Sequence, residues 1–459
     1  AIGDLILRLV EELLLLIQKG TGAVRMIFGA IFKVLLKKNL LCWKTFYQSQ
    51  TDTGNKLVAM AVPTVLFCVL VGIIGYFVSS FTLILSFAYL LGFALLFVLY
   101  NGTDEKVKEK TISERQKETL LLWGKQTYKY FETFMTDGLP CDNFQEFGGV
   151  GKAMRTSPTN IGFSLLSHVC ANKLGYVDFQ TAFNRISKTV DAVCEMEKWK
   201  GNLYNWYDIE SKEKLNGFVS SVDSGNFISC LVVVKNFLDE FLHSEVNENK
   251  SLAQAVEAVL QKVDKLISDC DFSSLFDKTK NQFYIGYNSD LKKFEGHYDL
   301  MSSEIKLTLF TTIALGKIDS SAFYGVSRRS YDGIMLSWSG TAFEYLMPEL
   351  FLQNFNGSAF DYTRNAVVKK QIKAKCSGFW GISESGHAEV VENVFQYFAF
   401  GLNNLSLRSA RNECVISPYS SFLALGVKTN AAMKNLEKME NDAFYGYGFY
   451  EAIDFSKGQ

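Results

Sequence analysis

The order of hydrophobic and polar residues divides the chain into a long apolar stretch and a larger amphipathic part. Residues 57–103 carry no charged side chain. As a helix, residues 57–100 would extend about 66 Å, enough for two crossings of a hydrocarbon core about 30 Å thick. The pattern therefore predicts a transmembrane helical hairpin over 57–103 that turns near Ser79. A buried helix pair of a soluble protein is the alternative, and it is disfavoured because such helices keep a polar face.

Basic residues flank the apolar stretch on both sides. Between Glu12 and Asp52 the chain has six Lys and Arg residues and no acidic one, and more lysines follow from Lys106 to Lys117. Because loops rich in Lys and Arg stay on the cytoplasmic side of a membrane, we expect both flanks there. This predicts a multi-pass protein of the cell inner membrane, in contact with the lipid bilayer, whose larger part is cytoplasmic. Residues 1–56 are expected to form an amphipathic helical segment, either interfacial or embedded in the membrane.

The part of the chain from 104 to 459 repeats hydrophobic residues at spacings of three and four. The clearest case places Phe179, Phe183 and Ile186 on one helix face, with Asp178 as the expected N-cap. The same spacing predicts helices over 116–135, 161–173, 227–243, 252–268, 301–314, 341–354, 388–400 and 429–440. Residues 282–287 are the best strand candidate. Many helices without βαβ alternation predict a mainly α domain of helical hairpins, an α/α toroid.

Composition excludes several classes of function. The net charge of −1 gives no sign of a nucleic-acid partner. The nine cysteines form no CxxC pair, which predicts buried free thiols in a reducing compartment. The four histidines show neither HxxxH nor HExxH, and neither GxGxxG after a strand nor a P-loop is present. We therefore expect no metal and no cofactor.

Several loops between the predicted helices are rich in aromatic, amide and carboxylate residues. Aromatic faces cover the apolar C–H faces of sugar rings, while amides and carboxylates bind paired hydroxyls. For any single aromatic residue, packing in the core is the alternative explanation. Six loops of one chemical type favour a carbohydrate site. The loops are 143–146, 155–160, 204–208, 220–226, 336–341 and 380–385.

A set of motifs in this part resembles the central domain of the cyclic β-1,2-glucan synthases. The resemblance extends over about residues 112–455. The motifs are Arg155–Gly162, Tyr204–Asp208, Ser220–Asn226, Tyr298–Glu304, Leu336–Phe343, Gly381–Ser385, Ser417–Tyr419 and Tyr447–Asp454. The resemblance implies an (α/α)6 barrel, related to endo-β-1,2-glucanases and preceded by membrane helices. It also implies transglycosylation, in which an internal linkage of linear β-1,2-glucan is cut and rejoined into a ring.

Two modules of that family have no counterpart in this sequence. One is a nucleotide-sugar glycosyltransferase before the membrane region, and the other is a phosphorylase-like module after the barrel. The chain lacks an initial Met and stops at Gln459, where the family continues with at least one more barrel helix. We therefore expect a fragment whose barrel, residues 104–459, is truncated and leaves an apolar flank unpaired. The two missing modules are expected partners in the full-length protein.

Retention of a β-linkage calls for a carboxylate nucleophile and a second carboxyl that acts first as acid and then as base. The resemblance implies that Glu304, at the start of a helix, is the acid/base and that Glu384 is the nucleophile. A glutamate at that point of a helix can also serve the helix N-terminus alone. The carboxylates that compete for these roles are Asp223, Glu344, Glu451 and Asp454.

A further group of residues is expected to bind glucosyl units. It consists of Asn160, Tyr204, Asn205, Trp206, Asp223, Asn226, Tyr298, Asp299, Trp338, Trp380 and Glu451. His297 and His387 lie beside the two glutamates in sequence and receive no role. Two alternatives to transglycosylation stay open. One is an endo-β-1,2-glucanase, with water as the acceptor, and the other is a non-catalytic glucan-binding fragment.

Overall fold

The computed structural model describes residues 112–148, 150–244, 250–408 and 413–456, and nine isolated helical positions between Val69 and Gly92. The predicted segment 1–56 and, apart from those nine positions, the predicted hairpin 57–103 lie outside the described residues. Within the described part, no helix is both long enough and apolar enough to cross a membrane. Residues Thr111–Gln459 form one compact unit.

Among the described residues, nine helices form this unit. They are α1 (Glu114–Thr133), α2 (Pro158–Lys173), α3 (Phe179–Glu195), α4 (Ser221–Leu242), α5 (Lys250–Asp269), α6 (Ile305–Ala314), α7 (Ala342–Leu346), α8 (Ala359–Lys373) and α9 (Pro418–Ala443). A single helical turn, Ala322–Gly325, and 3₁₀ turns at Ser273–Leu275, Met347–Leu350 and Asn403–Leu405 lie between them. Helices α2, α4 and α6 pack side by side, and α3 and α5 pack behind them. This layering of helical hairpins agrees with the mainly α, α/α toroid fold that the sequence predicts.

Short antiparallel strands connect the helices. The largest sheet contains β1 (Phe218–Ser220), β2 (Phe276–Asp277), β3 (Gln282–Asn288) and β4 (Lys293–His297), in which β3 pairs with the other three. A long hairpin is formed by β5 (Ser385–Val391) and β6 (Val394–Phe398). The remaining pairs join Met135–Thr136 to Leu139–Pro140, Phe144–Gln145 to Gly151–Lys152, Arg155–Thr156 to Tyr207–Asp208, Lys198–Trp199 to Asn202–Leu203, Ser330–Tyr331 to Ile334–Met335, Val415–Ile416 to Ile453–Asp454, and Phe444–Tyr445 to Gly448–Phe449.

Local sequence signals set several boundaries. Helix α3 begins where predicted, because the Asp178 side chain accepts a hydrogen bond from the Thr181 backbone N–H at 2.7 Å. The strand predicted over 282–287 is confirmed as β3. The helix predicted over 341–354 stops at Leu346 and tightens into the 3₁₀ turn that contains Pro348.

Two predicted elements are wrong. Residues 388–400 form the β5–β6 hairpin and not a helix, because Glu392 and Asn393 adopt positive φ angles of 52° and 66° and turn the chain back. Residues 220–226 are not a loop. The Ser220 side chain caps helix α4 by accepting from the Asp223 N–H at 3.2 Å, and the helix starts at Ser221. Helix α8 was not predicted.

The prediction that all cysteines are buried free thiols is also wrong. Cys376 and Cys414 form a disulfide, with Cα atoms 5.8 Å apart. Cys170 and Cys194 are exposed. Tertiary structure brings these two residues together, and the spacing of cysteines along the chain does not predict such a pair. The remaining described thiols, those of Cys141, Cys230 and Cys270, are buried as predicted.

Helices α1 and α9 pack against each other through Trp123. Its side chain is fully buried and contacts Phe422 and Phe449 edge-on. The indole N–H donates to Glu440 Oε1 at 2.8 Å. The first and the last of the described long helices therefore share one hydrophobic cluster.

Candidate active site

Glu304 occupies the N-cap position of α6, just after the segment that leaves strand β4. Within the described part of the chain, its side chain makes no capping hydrogen bond, and the residue is partly buried. Its carboxyl is therefore not engaged in holding the helix end. This removes a capping hydrogen bond as the structural explanation for a glutamate at this position and leaves only its general attraction to the helix N-terminus.

The first turns of α4 face Glu304. Asn226 Nδ2 lies 3.5 Å from Glu304 Oε2 and 3.2 Å from Thr159 Oγ1. The close approach depends on Gly225, since a Cβ at this position would lie 2.0 Å from Thr308 Oγ1 of α6. Glycine thus allows α4 and α6 to come together and brings Asn226 to Glu304.

Asp223 lies one helical turn before Asn226 and is held from two sides. Thr159 Oγ1 donates to Asp223 Oδ1 at 2.6 Å. In the orientation that satisfies its neighbours, the Asn205 amide donates to Asp223 Oδ2 at 3.0 Å and accepts from Trp206 Nε1 at 3.1 Å. Both carboxyl oxygens of Asp223 are therefore hydrogen-bonded before any ligand arrives.

Glu384 lies directly before strand β5, and the hairpin that follows helps to position it. The Tyr419 hydroxyl donates to the Glu384 backbone carbonyl at 2.8 Å and also lies 2.8 Å from Ser383 Oγ. Tyr397, opposite Gly386 in the hairpin register, is hydrogen-bonded to the Glu384 carboxylate. The Gly386 N–H donates to Glu451 Oε1 at 3.0 Å.

The surroundings raise the pKa values of Glu304 and Glu384 by different amounts. Burial raises the pKa of Glu304 well above its usual range, and the nearby carboxylates of Glu384, Asp223 and Glu344 raise it further. The pKa of Glu384 rises to about 7, first because of burial and then because of Glu344, while the Tyr397 hydrogen bond opposes the rise. Both carboxyls are thus shifted toward the protonated form, Glu304 more strongly than Glu384. Such a difference is typical of an acid paired with a base or nucleophile.

Of the predicted glucan-binding residues, Asp223, Asn226 and Tyr298 lie near Glu304, and Glu451 lies near Glu384. Burial raises the pKa of the Tyr298 hydroxyl well above its usual range, and the Glu304 and Asp223 carboxylates add to this effect. The Trp338 indole N–H donates to Asp299 Oδ1 at 2.8 Å.

Asn160 and Glu451 lie near another carboxylate, that of Asp142. The Asn160 amide donates to Asp142 Oδ1 at 3.0 Å, and Arg155 pairs with Oδ2 at 2.9 Å. Burial raises the pKa of Glu451, the Gly386 N–H lowers it, and Asp142 raises it. The Arg155 guanidinium also lies over the Trp206 ring, 4.6 Å from its centroid.

Two predicted residues lie elsewhere. Tyr204 is 4% exposed and packs in the main core, with Lys214 over its ring. Trp380 is 3% exposed and lies in the core between α7, α8 and α9. Both side chains are packed in the core in this structure, away from the other residues predicted to bind glucan. Polar neighbours in sequence do not reveal which way an aromatic side chain points.

The rival carboxylates have structural partners. Glu344 is buried and forms a capping box with Thr341, while it also accepts from Ser337 Oγ at 2.9 Å and from the Ser339 N–H. Asp454 accepts from the Ala388 N–H at 2.8 Å. His297 pairs with Asp277 and His387 with Glu413.

Sequence reasoning assigned no role to Thr159, Tyr397 or Tyr419. Thr159 and Tyr419 lie inside the motifs 155–162 and 417–419. Neither a threonine nor a tyrosine at the start of a helix is by itself a specific sign of a functional site. Tyr397 lay in a segment interpreted as helix, so its position opposite Gly386 was hidden. Among the described residues, no group of three or more His, Cys, Asp or Glu side chains is placed to hold a metal ion.

Comparison with known proteins agrees with the motifs. The family model described as "Putative glucoamylase" matches residues 323–459. The cyclic β-(1,2)-glucan synthase NdvB of Rhizobium meliloti (strain 1021) is 28% identical over an alignment 480 positions long. The alignment covers 77% of this chain and 17% of that protein. The resemblance drawn from the sequence is confirmed. This chain spans about a sixth of the length of that relative.

Solved structures share the fold. The endo-β-1,2-glucanase from Chitinophaga pinensis, in complex with sophorotriose and glucose, has a TM-score of 0.57 at 15% identity, covering 76% of this chain and 88% of that one. The β-1,2-glucanase from Parabacteroides distasonis has a TM-score of 0.60 at 13% identity, covering 76% and 54%. These two structures show the shared fold, and the similarity to the synthase agrees with the prediction that the chain is an enzyme.

Proposed function

We propose that residues 104–459 form a retaining transglycosylase domain that acts on linear β-1,2-glucan, in a barrel with the (α/α)6 repeat. The observation that carries the proposal is that two carboxyls from distant parts of the chain, those of Glu304 and Glu384, lie close enough for the charge of Glu384 to raise the pKa of Glu304. The similarity to a cyclic β-(1,2)-glucan synthase supports the substrate and the ring-forming outcome.

In the proposed first step, a Glu384 oxygen attacks the anomeric carbon of an internal glucosyl unit. The glycosidic C–O bond breaks as Glu304 gives its proton to the leaving oxygen, and a glycosyl-enzyme forms. In the second step, a hydroxyl of the same glucan chain attacks that carbon, the bond to Glu384 breaks, and Glu304 recovers a proton. The β-configuration is retained and the ring closes.

The same carboxyls would support an endo-β-1,2-glucanase if water replaced the sugar hydroxyl in the second step. A sugar-covered site excludes water from the glycosyl-enzyme. The glucanases of similar fold make hydrolysis the second candidate function. A non-catalytic glucan-binding module is the third.

We also propose that residues 57–103 anchor the domain in the cell inner membrane as a hairpin, with residues 1–56 alongside the bilayer. The uncharged stretch and the Lys and Arg residues on both sides of it support this arrangement, with the domain on the cytoplasmic face. Glycosyltransferase and phosphorylase-like modules are proposed partners in a longer protein.

Incubation of the detergent-solubilised chain with linear β-1,2-glucan, followed by mass spectrometry, separates the three functions. A ring is lighter by one water than a linear chain with the same number of glucose units. Ring products support transglycosylation, shortened linear chains indicate hydrolysis, and unchanged glucan indicates binding alone.

Substitution of either glutamate tests the assignment of roles. We expect Glu304→Gln and Glu384→Gln each to lower turnover at least roughly a hundredfold, in line with acid–base contributions of about 10²–10⁴. The matched control is Glu437→Gln, an exposed glutamate on α9, which should keep normal turnover. Normal turnover in a Glu304 or Glu384 variant that folds would exclude that residue from the reaction.

A further inference from the structure

Thr159 lies where helix α2 contacts helix α4, close to the Asn226 side chain that reaches Glu304. It is the second residue of α2, and its hydroxyl lies between two side chains of α4. The distance is 2.6 Å to Asp223 Oδ1 and 3.2 Å to Asn226 Nδ2. The reaction proposed above assigns no task to this hydroxyl.

The hydrogen-bond inventory of Thr159 leaves one arrangement. A threonine hydroxyl has one proton to donate and two lone pairs. Asp223 accepts on both oxygens, and the 2.6 Å contact is the short kind formed by a hydroxyl with a carboxylate. The single proton of Thr159 is thus directed at Asp223. Toward Asn226, the Thr159 oxygen can only accept.

This constraint sets the orientation of the Asn226 amide. Its NH₂ group must face Thr159, and the same nitrogen lies 3.5 Å from Glu304 Oε2. The amide oxygen, Oδ1, is buried and finds no hydrogen-bond partner among the described residues. A buried acceptor without a hydrogen bond costs free energy. The two contacts of the NH₂ group therefore fix this orientation, although it leaves the amide oxygen without a partner.

The opposite orientation would have a chemical effect. It would present Asn226 Oδ1 to Glu304, and a protonated carboxyl would then donate its proton to that oxygen. The proton would be held in the protein and not directed at a substrate. With NH₂ presented, Oε2 receives a donor and the acidic proton belongs on Oε1.

We propose that Thr159 is a positioning residue for Glu304, which it serves by fixing the Asn226 amide so that the carboxyl proton stays on the oxygen that faces away from Asn226. The inference rests on the proposed function for its catalytic meaning. The underlying arrangement of the amide and the carboxyl can be measured without activity.

The other charged or titratable groups that act on Glu304 come from several elements. Glu344 lies on α7, Glu384 precedes β5, and Tyr298 follows β4, while Tyr419 begins α9. None of these groups contacts the Thr159 hydroxyl.

Asp223, on α4, also acts on Glu304, and it accepts from the Thr159 hydroxyl at 2.6 Å. Replacing Thr159 therefore changes two contacts, one to Asn226 and one to Asp223. Loss of a donor disfavours the negative charge of Asp223, which would lower the pKa of Glu304, whereas loss of the Asn226 N–H contact would raise it.

The test compares Thr159→Val, which removes the hydroxyl at similar volume, with Thr159→Ser, which keeps it. The Glu304 carboxyl signal is followed by ¹³C NMR titration in glutamate-labelled protein and is identified by its absence in Glu304→Gln. An N–H bond favours the ionised form, and its loss raises the pKa. We expect the midpoint to rise in Thr159→Val and to match wild type in Thr159→Ser.

Kinetics on linear β-1,2-glucan supply the second measurement. In Thr159→Val, kcat should fall about tenfold with KM nearly unchanged, and the alkaline limb of the pH profile should move to higher pH. Thr159→Ser should restore both. An inactive wild type would contradict the proposed function, and the NMR midpoints would still decide this inference.

Three outcomes would overturn the inference. One is a Thr159→Val midpoint equal to that of wild type or below it. Another is a rise in KM at constant kcat, which would indicate direct binding of sugar. The third is a loss in Thr159→Ser as large as in Thr159→Val. If Thr159→Val fails to fold, Thr159→Ala is judged by the same midpoints.

Discussion

Glu304 and Glu384 differ in what surrounds their carboxyl groups. Three acidic side chains raise the pKa of Glu304, and a hydrogen bond from Asn226 opposes them. Glu384 has two acidic neighbours and a hydrogen bond from Tyr397 that favours its charged form. The proposed reaction needs Glu304 protonated and Glu384 ionised. Activity is therefore expected in a window of pH whose lower edge is set by Glu384 and whose upper edge is set by Glu304.

The lower edge can be moved by one hydroxyl. With a pKa of about 7 for Glu384, kcat/KM should fall as the pH drops below about 7. Tyr397→Phe removes a hydrogen bond to the ionised form, so the pKa of Glu384 should rise and the acidic limb should move to higher pH. The measurement is kcat/KM against pH for wild type and variant.

Tyr324→Phe is the control for that experiment, since Tyr324 is 79% exposed and lies outside the site. An acidic limb that stays in place in Tyr397→Phe, or that moves equally in the control, would contradict the role given to Tyr397.

At the scale of elements, the site depends on the contact between α4 and α6. Gly225 leaves no space for a side chain, because Thr308 Oγ1 and its Cβ lie 2.0 Å and 2.6 Å from the place a Cβ would take. The two helices would have to separate to admit even a methyl group. Asn226 would then move away from Glu304.

Gly225→Ala is accordingly expected to destabilise the domain by about 1–3 kcal/mol, the usual cost of overpacking, and to lower kcat. Urea unfolding and turnover are the measurements. Gly426→Ala is the matched control, because Gly426 is also helical and nothing lies within 4 Å of its added Cβ. Alanine there should be neutral or stabilising by about 0.5–1 kcal/mol. Equal behaviour of the two variants would refute the packing argument.

Sequence could predict the elements whose signals are local. Helix α3 has an N-cap and regular hydrophobic spacing, and both survive in the fold. The β5–β6 hairpin was not predicted, because its apolar residues also fit the spacing of a helix. Only the positive φ angles of Glu392 and Asn393 distinguish the hairpin from a helix. The start of α4 escaped because serine, aspartate and glycine are common in loops.

The candidate site was predictable to the level of its carboxyls and less so for its aromatic residues. Trp338 and Trp380 follow similar polar motifs, yet one donates its N–H to Asp299 and the other is buried in the core. Burial and the order of pKa values depend on contacts between distant segments. Those contacts have no signature in a single sequence.

For the whole molecule, the contact between α1 and α9 joins distant ends of the described barrel. Trp123 fills this contact, and its indole N–H is bonded to Glu440. Removing the ring would leave a large cavity and an unpaired acceptor in the same place.

We expect Trp123→Ala to lower the free energy of unfolding by about 3–5 kcal/mol, the usual cost of such a truncation. Chemical denaturation followed by circular dichroism measures it. Leu122→Ala, at a neighbouring side chain that is 61% exposed, should change stability little. Comparable losses in the two variants would show that the α1–α9 contact is not important for stability.

The β5–β6 hairpin separates two properties of Glu384. The residue precedes the first strand, and Tyr397 lies on the second. The hairpin tip is bonded to the distant strand Phe144–Gln145, since the Gln145 amide donates to the Asn393 carbonyl at 2.8 Å. Glu304 belongs to a different support, helix α6. A sideways displacement of the hairpin would carry Glu384 and Tyr397 together, so the gap to Glu304 would change while the Tyr397 hydrogen bond was kept. The distance between the two carboxyls and the tyrosine contact of Glu384 thus depend on different parts of the molecule.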